Sequence, residues 1–190
     1  MLGPVLLNVG APWEAERVDL QFEPLNLPHD GPAVVEFLST NGWPFHSDPH
    51  LSSDTAAQVR VESDDLAALG IYEGAAIVGL LRLMDLADLE VGSPLFDLRI
   101  AEEHRGRRIG RRAVTWLTDY LFTTYPAPHR IEATTRDDNA AMQSVLERCG
   151  YRLEGRFVEA WTNADFTRSD ALSYAILRRE HHLLTNKSAS

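Results

Sequence analysis

Apolar and polar positions change period several times along this chain, and each change marks an element. Val18, Leu20 and Phe22 alternate with polar neighbours, which predicts a first strand. Asp30 to Thr40 predicts a short helix with Val34, Val35, Phe37 and Leu38 on its apolar side. Asn41 to Pro49 is a turn-rich loop, and Ser53 is placed to cap a helix from Asp54 to about Leu66. Leu69–Glu73 and Ala75–Leu83 predict two strands with Glu73-Gly74 as the hairpin tip. Pro94–Ile100 predicts another, whose inward face is either Leu95 and Asp97 or Phe96, Leu98 and Ile100. Ile109, Ala113, Trp116, Leu117, Tyr120 and Leu121 form the stripe of a helix that runs to about Thr124, and Pro126 and Pro128 end it.

His129–Thr135 reads as a strand. Asp137, Asp138 and Asn139 supply capping side chains for a helix with Ala141, Met142, Val145, Leu146 and Cys149 on one side, closed by Gly150. Tyr151–Trp161 and Arg168–Leu177 are two final strands around a polar turn. The pattern predicts a single α/β (α+β) domain over residues 17–180 around one mixed, mostly antiparallel sheet. It has flanking helices and one strand–helix–strand crossover. Residues 1–16 read as a loose leader without the basic start of a secretory signal, and 181–190 as a flexible tail.

Composition narrows the function. The 190 residues are 44% hydrophobic and 24% charged, an ordinary globular balance. Cys149 is the only cysteine, which excludes a disulfide scaffold and a cysteine-built zinc site. No apolar run reaches the roughly 20 residues of a membrane span, so a protein of the cytoplasm is expected, with no membrane partner. A net charge of −10 disfavours a general nucleic-acid binder. That charge is unevenly spread. Residues 1–96 hold 3 basic and 15 acidic side chains, a net of −12, and residues 97–190 hold 15 and 13, a net of +2. One half is suited to attract a cation and the other to hold an anion.

The anion signal lies between the strand ending at Ile100 and the helix starting near Ile109. There the chain reads Arg105, Gly106, Arg107, Arg108, Ile109, Gly110. A helix N-terminus offers unpaired N–H groups and partial positive charge, and glycine lets the main chain come close to a phosphate. Arg105, Arg107, Arg108, Arg111 and Arg112 add five charges, a density suited to a pyrophosphate with a further phosphate. The plain alternative is a solvated basic helix start. The spacing matches neither a Walker loop nor a dinucleotide turn.

These residues, with HRIEATTRDDNAAMQSVLERCGYRLEGRF and DALSYAILRREH downstream, resemble the GNAT superfamily of acyl-CoA-dependent N-acetyltransferases. Those segments resemble the branch that contains the ribosomal-protein N-terminal acetyltransferases (RimJ/RimL type). The likeness covers about Pro94 to Glu180. It implies a strand that splays from its neighbour, with main-chain contacts from Leu98, Arg99 and Ile100 to the pantetheine arm of acetyl-CoA. It implies a pyrophosphate on the amides of Arg105, Gly106, Arg107, Arg108, Ile109, Gly110 and Arg111. It also implies that Asn139, with Met142 one turn on, lies beside the thioester. Arg108 stands where the family usually has glycine. No metal is implied.

Acetyl transfer to an amine needs the ammonium to lose a proton before attack. Asp97 is the first candidate base and Glu132 the second, each with a plain structural alternative; Glu132 has Arg130 two residues away on the same face. Trp43 and His46 in the Asn41–Pro49 loop, and Glu159 on a late strand, are candidates for the acceptor side. His46 and His50 together are too slight a pattern for a metal pair. Tyr174 is the remaining candidate acid, although core packing fits it as well. The acidic first half points to a cationic acceptor: a protein N-terminus, a lysine, an aminoglycoside or another small amine. A homodimer through exposed strands is a further expectation. The competing reading is a catalytically silent acyl-CoA-binding or regulatory domain.

Overall fold

The computed structural model describes residues 19–25, 29–59, 63, 66–87, 89 and 92–188, with side chains as far as Leu183. The predicted leader and Val18 lie outside the described residues. In chain order the elements are β1 (Leu20–Pro24), α1 (Gly31–Thr40), α2 (Ser53–Ala56), β2 (Leu66–Glu73), β3 (Ala76–Met84) and β4 (Leu95–Ile100). A 3-10 turn (Glu102–His104) then leads to α3 (Ile109–Thr124), β5 (Arg130–Arg136), α4 (Ala140–Arg148), β6 (Arg152–Thr162), β7 (Arg168–Leu177) and α5 (Arg178–Ser188).

The predicted single sheet is divided in two. One half is a four-stranded antiparallel sheet in the order β1-β2-β3-β4, and the other is three-stranded in the order β5-β7-β6. The crossover β4–α3–β5 joins them. Among the described residues the main-chain bond between β4 and β5 is Glu132 N–H to Pro94 O, at 3.3 Å. It ties the start of one strand to the start of the other. Beyond it the two strands are not paired, so they open towards their C-terminal ends.

Apolar residues pack on both faces of the first sheet. α3 and α4 cover one face with Ile109, Ala113, Leu117, Leu121 and Leu146, against Leu81, Leu83, Phe96, Ile131 and Tyr174. On the other face α1, α2 and the loop between them bury Val34, Phe37, Leu38 and Trp43 against Leu80 and Ala68. This settles the open question of the inward face of β4. Phe96 and Leu98 look towards α3, while Asp97 and Arg99 meet the α1–α2 loop. A strand with a core on each side has no solvent face for a period-2 pattern to reveal.

One expectation is corrected. The helix from Asp54 to about Leu66 is one turn only, Ser53–Ala56, and its cap is Ser52, whose Oγ accepts Thr55 N–H at 3.2 Å. Leu66 belongs to β2, paired with Met84, because the ladders on both sides of β2 outweigh local helix propensity. At the other end, a helix from Arg178 to Ser188 occupies most of the predicted tail. Arg178 anchors it: its guanidinium donates to the carbonyls of Phe122, Tyr125 and Pro128, in the last turn of α3 and the segment that follows it.

Candidate active site

The open end of the β4–β5 gap collects two helix starts. β4 runs through the 3-10 turn into α3, and β5 runs through Asp137 and Asp138 into α4. The crevice beyond the carboxyl ends of strands at such a crossover is where α/β folds place ligands.

The α3 start is built from main chain. Gly106 has φ +75°, and a Cβ there would meet nothing within 4 Å. Arg108 also takes the left-handed region, at φ +63°, which explains why glycine would be at ease at this position. Gly110 has ordinary backbone geometry, and an added Cβ would make only van der Waals contact with Val145 and Leu98. Arg112 N–H is bonded to Arg108 O, so the amides of Ile109, Gly110 and Arg111 sit in the turn whose N–H groups face out of the helix. The five arginines are not equivalent. Arg105 turns back into the fold: Nε donates to Ile100 O at 3.0 Å and Nη2 to Gly42 O at 2.5 Å, with the guanidinium 5.8 Å from the Trp43 ring centroid. Arg107 makes a forked pair with Glu73, at 2.7 and 2.9 Å. Those two are structural brackets. The charge that the loop offers outward comes from the exposed Arg108.

On the opposite face of β4, residues far apart in sequence converge. Asp97 Oδ1 is 2.8 Å from His46 Nε2. Asp97 Oδ2 receives Arg82 Nη2 at 2.6 Å, Arg82 Nε at 3.0 Å and Arg99 Nε at 3.3 Å. Burial by itself would raise the Asp97 pKa. The His46 hydrogen bond and the charges of His46, Arg99 and Arg82 outweigh burial and hold it well below the usual carboxylate range. Arg99 is only 8% exposed, and it lies 5.3 Å from the Trp43 ring centroid. Phe45, beside His46, packs under the Arg136 guanidinium at the end of β5, at 5.1 Å. The Trp43–His46 segment therefore touches β4 through Asp97 and Arg99 and β5 through Arg136, and so roofs the gap on this face. It is stiff: Trp43 Nε1 donates to Leu38 O, Trp43 N–H to Pro49 O and His46 N–H to Trp43 O, at 2.8, 2.8 and 2.9 Å.

A sequence model described as the acetyltransferase (GNAT) family matches residues 33–151. The chain belongs to this family. Solved structures that share the fold of this acetyltransferase include the following three. One is a spermidine N-acetyltransferase from Vibrio cholerae in complex with CoA and spermine: TM-score 0.72, 20% identity, covering 87% of this chain and 99% of the other. A dodecameric structure of spermidine N-acetyltransferase from Vibrio cholerae gives TM-score 0.70 at 20% identity, covering 87% of this chain and 97% of the other. A GNAT-family acetyltransferase from Bacillus anthracis gives TM-score 0.72 at 19% identity, covering 88% and 98%. No curated relative matches the sequence.

Acetyl-CoA is the co-substrate of this acetyltransferase family, and the α3 start fits its pyrophosphate. The fit rests on the open space over Gly106, the room at Gly110 and the outward amides between them. Asn139 caps α4: its Oδ1 accepts Met142 N–H at 3.2 Å, which fixes the side chain at the second helix start. Among the described residues, no three or more histidine, cysteine, aspartate or glutamate side chains gather as a metal site, and no helix is long and apolar enough to cross a membrane.

The remaining candidates are spread out. Glu132 lies at the closed end of the gap, with Oε1 2.9 Å from Arg130 Nε. Glu159 is on β6, which β7 separates from β5, in a bulge with φ +52°. Its N–H is held by Asp170 Oδ1 at 2.8 Å. Tyr174 pairs with Ala133 inside the core; burial first, and Glu147 next, raise its pKa. It faces away from the roofed side. Cys149 has its thiol pKa pushed up by burial, so it is no activated nucleophile. Arg82 and Arg136 were not singled out from the sequence. The signal for Arg82 was one arginine inside the apolar run AIVGLLRLM, and it gains meaning only once β3 pairing sets it opposite Asp97.

Proposed function

We propose that this acetyltransferase moves an acetyl group from acetyl-CoA to a positively charged primary amine. The observation that carries the reading is the β4–β5 gap, with a main-chain cradle at the α3 start and a stiff roof over the other face. Acetyl-CoA supplies a thioester whose acyl carbon accepts the amine and whose sulfur leaves. Amides from Arg105 to Arg111 and the Arg108 side chain would hold the diphosphate. The edge of β4 from Leu98 to Ile100, which among the described residues has no strand paired on the gap side, would receive the pantetheine amides. Asn139 and Met142 would border the thioester.

Charge supports the acceptor class. Residues 31–59, which form the roof and its supporting helices, contain Glu36, Asp48 and Asp54 and neither lysine nor arginine. An ammonium is drawn to such a surface. Trp43 and His46 would border its path, while Glu159 would act only from the outer hairpin. The Vibrio cholerae protein, a spermidine N-acetyltransferase seen with spermine, works on the same charge class. The RimJ/RimL-like motif run makes a protein N-terminus the other acceptor to test. The acidic chain, with its one half-buried cysteine, fits a cytoplasmic protein, and exposed Leu153, Phe157 and Val158 on β6 support a homodimer through that hairpin.

The test is calorimetry with acetyl-CoA followed by thiol release over a panel of amines: a polyamine, a peptide N-terminus, a lysine side chain, an aminoglycoside and a neutral aromatic amine. Binding with turnover on the cationic members is expected. Binding without turnover on any member would favour the silent-domain alternative.

A further inference from the structure

We propose that His46, held by Asp97, is the group that takes the proton from the acceptor ammonium. This rests on the proposed transferase reaction and deepens it by naming the base.

Three geometric facts lead there. First, both oxygens of Asp97 are already engaged, Oδ1 with His46 and Oδ2 with Arg82 and Arg99. A carboxylate held by two guanidinium groups is a poor proton acceptor. Second, a carboxylate oxygen only accepts, so the 2.8 Å contact requires the hydrogen to sit on His46 Nε2. In the neutral ring the lone pair is then on Nδ1. Third, among the described residues the buried His46 Nδ1 has no hydrogen-bond partner, and neither has Nη1 of the nearly buried Arg99, the other arm of the cluster. A buried polar atom left unpaired is costly, and native folds keep few without a functional reason. The free lone pair of this cluster thus lies on the segment that roofs the gap.

The division of labour is that of any aspartate-oriented imidazole. The carboxylate fixes the tautomer and steadies the cation, and the ring carries the proton. Asp97 from β4 meets the ring, Arg99 from β4 and Arg82 from β3 act on Asp97, and Asp48 from the loop of His46 acts on Arg99. In the reaction R–NH3+ gives one proton to Nδ1. The freed nitrogen pair forms the C–N bond as the C–S bond of the thioester breaks. The second nitrogen proton goes to the departing sulfur, giving the CoA thiol, and imidazolium later returns its proton to solvent. One proton is released per amide formed.

The test compares wild type with His46→Gln, which keeps a donor for Asp97, with His46→Ala, and with His50→Gln on the same loop as the control. Loss of a general base costs about 10²–10⁴-fold, so kcat/KM should fall by about 100-fold or more in both His46 variants. The acidic limb of the kcat/KM profile should vanish, free imidazole should partly rescue His46→Ala, and acetyl-CoA affinity should stay within about twofold. A readout independent of turnover is the nitrogen NMR of the wild-type ring without co-substrate, in which the neutral form should carry its hydrogen on Nε2. Activity of His46→Gln within about threefold of wild type with the same acidic limb overturns the inference, as does a neutral ring protonated on Nδ1. If the variants fail to fold, the ring tautomer decides. Wild type that binds acetyl-CoA and acetylates no amine overturns the proposed function, and this inference with it.

Discussion

The two sides of the β4–β5 gap are made in different ways. The α3 cradle is contiguous in sequence and built from main chain, with two left-handed residues, outward amides and one helix start. The roofed side is built from side chains of segments up to 56 residues apart, from Trp43 and His46 through Arg82 to Asp97 and Arg99, and its one carboxylate is shared by two guanidinium groups and an imidazole. The cradle presents charge outward. The roof keeps charge inward and leaves a nitrogen pair free. A site for a fixed anion can be written in a few consecutive residues, whereas proton transfer needs groups that only the fold brings together.

Substitutions should pull the two sides apart. The largest effect is expected from Trp43→Ala, which empties a 2%-exposed position packed on Phe37 and removes the bond to Leu38 O. Loss of about 3–5 kcal/mol is expected, read as a fall of about 10 °C or more in melting temperature. Next comes Asp97→Asn, which leaves Arg82 and Arg99 without their counter-charge. Breaking a buried pair costs about 3–5 kcal/mol, at the lower end here because Asp97 keeps 14% exposure. The sign with pH follows from its lowered pKa. The stabilisation is full above the unfolded value of about 4 and fades as pH falls through the folded value. The melting-temperature gap between wild type and Asp97→Asn should therefore be constant near neutrality and narrow below pH ~4. Arg108→Gly should stabilise the fold, because a non-glycine residue in the left-handed region costs about 1–2 kcal/mol, partly offset by the entropy of glycine. Denaturant titration would show the gain, while calorimetry should show acetyl-CoA bound several-fold more weakly and with a shallower salt dependence. The smallest effect is expected from Phe45→Leu. Its contact with Arg136 is worth about 0.5–1 kcal/mol, so KM for the amine should rise a few-fold with acetyl-CoA affinity unchanged.

The same contrast explains what the sequence discloses. The α3 stripe, its start at Ile109 and its end at Thr124 are read from local periodicity, because the helix packs one face on one core. The cradle is legible for the same reason, since its glycines and its helix start are neighbours. The helix from Asp54 fails because the ladder partners of Leu66, in β3, lie beyond any local window. Asp97 is found as a carboxylate in the right strand, but its engagement is hidden. Nothing between residues 46 and 97 announces that a histidine 51 positions earlier will bind it. Arg105 shows the reverse error. Its neighbours mark it as one charge among five, yet its fork is spent on two carbonyls.

That fork reaches from Ile100 to Gly42 and so buttresses loop and cradle against each other with one residue. A lysine, a point charge without a planar fork, could not brace both at once. Anyone grafting a foreign loop between residues 41 and 50 to change acceptor choice must keep a carbonyl at the height of Gly42. Without it, the transplant would loosen the nucleotide end of the molecule that it was meant to leave alone.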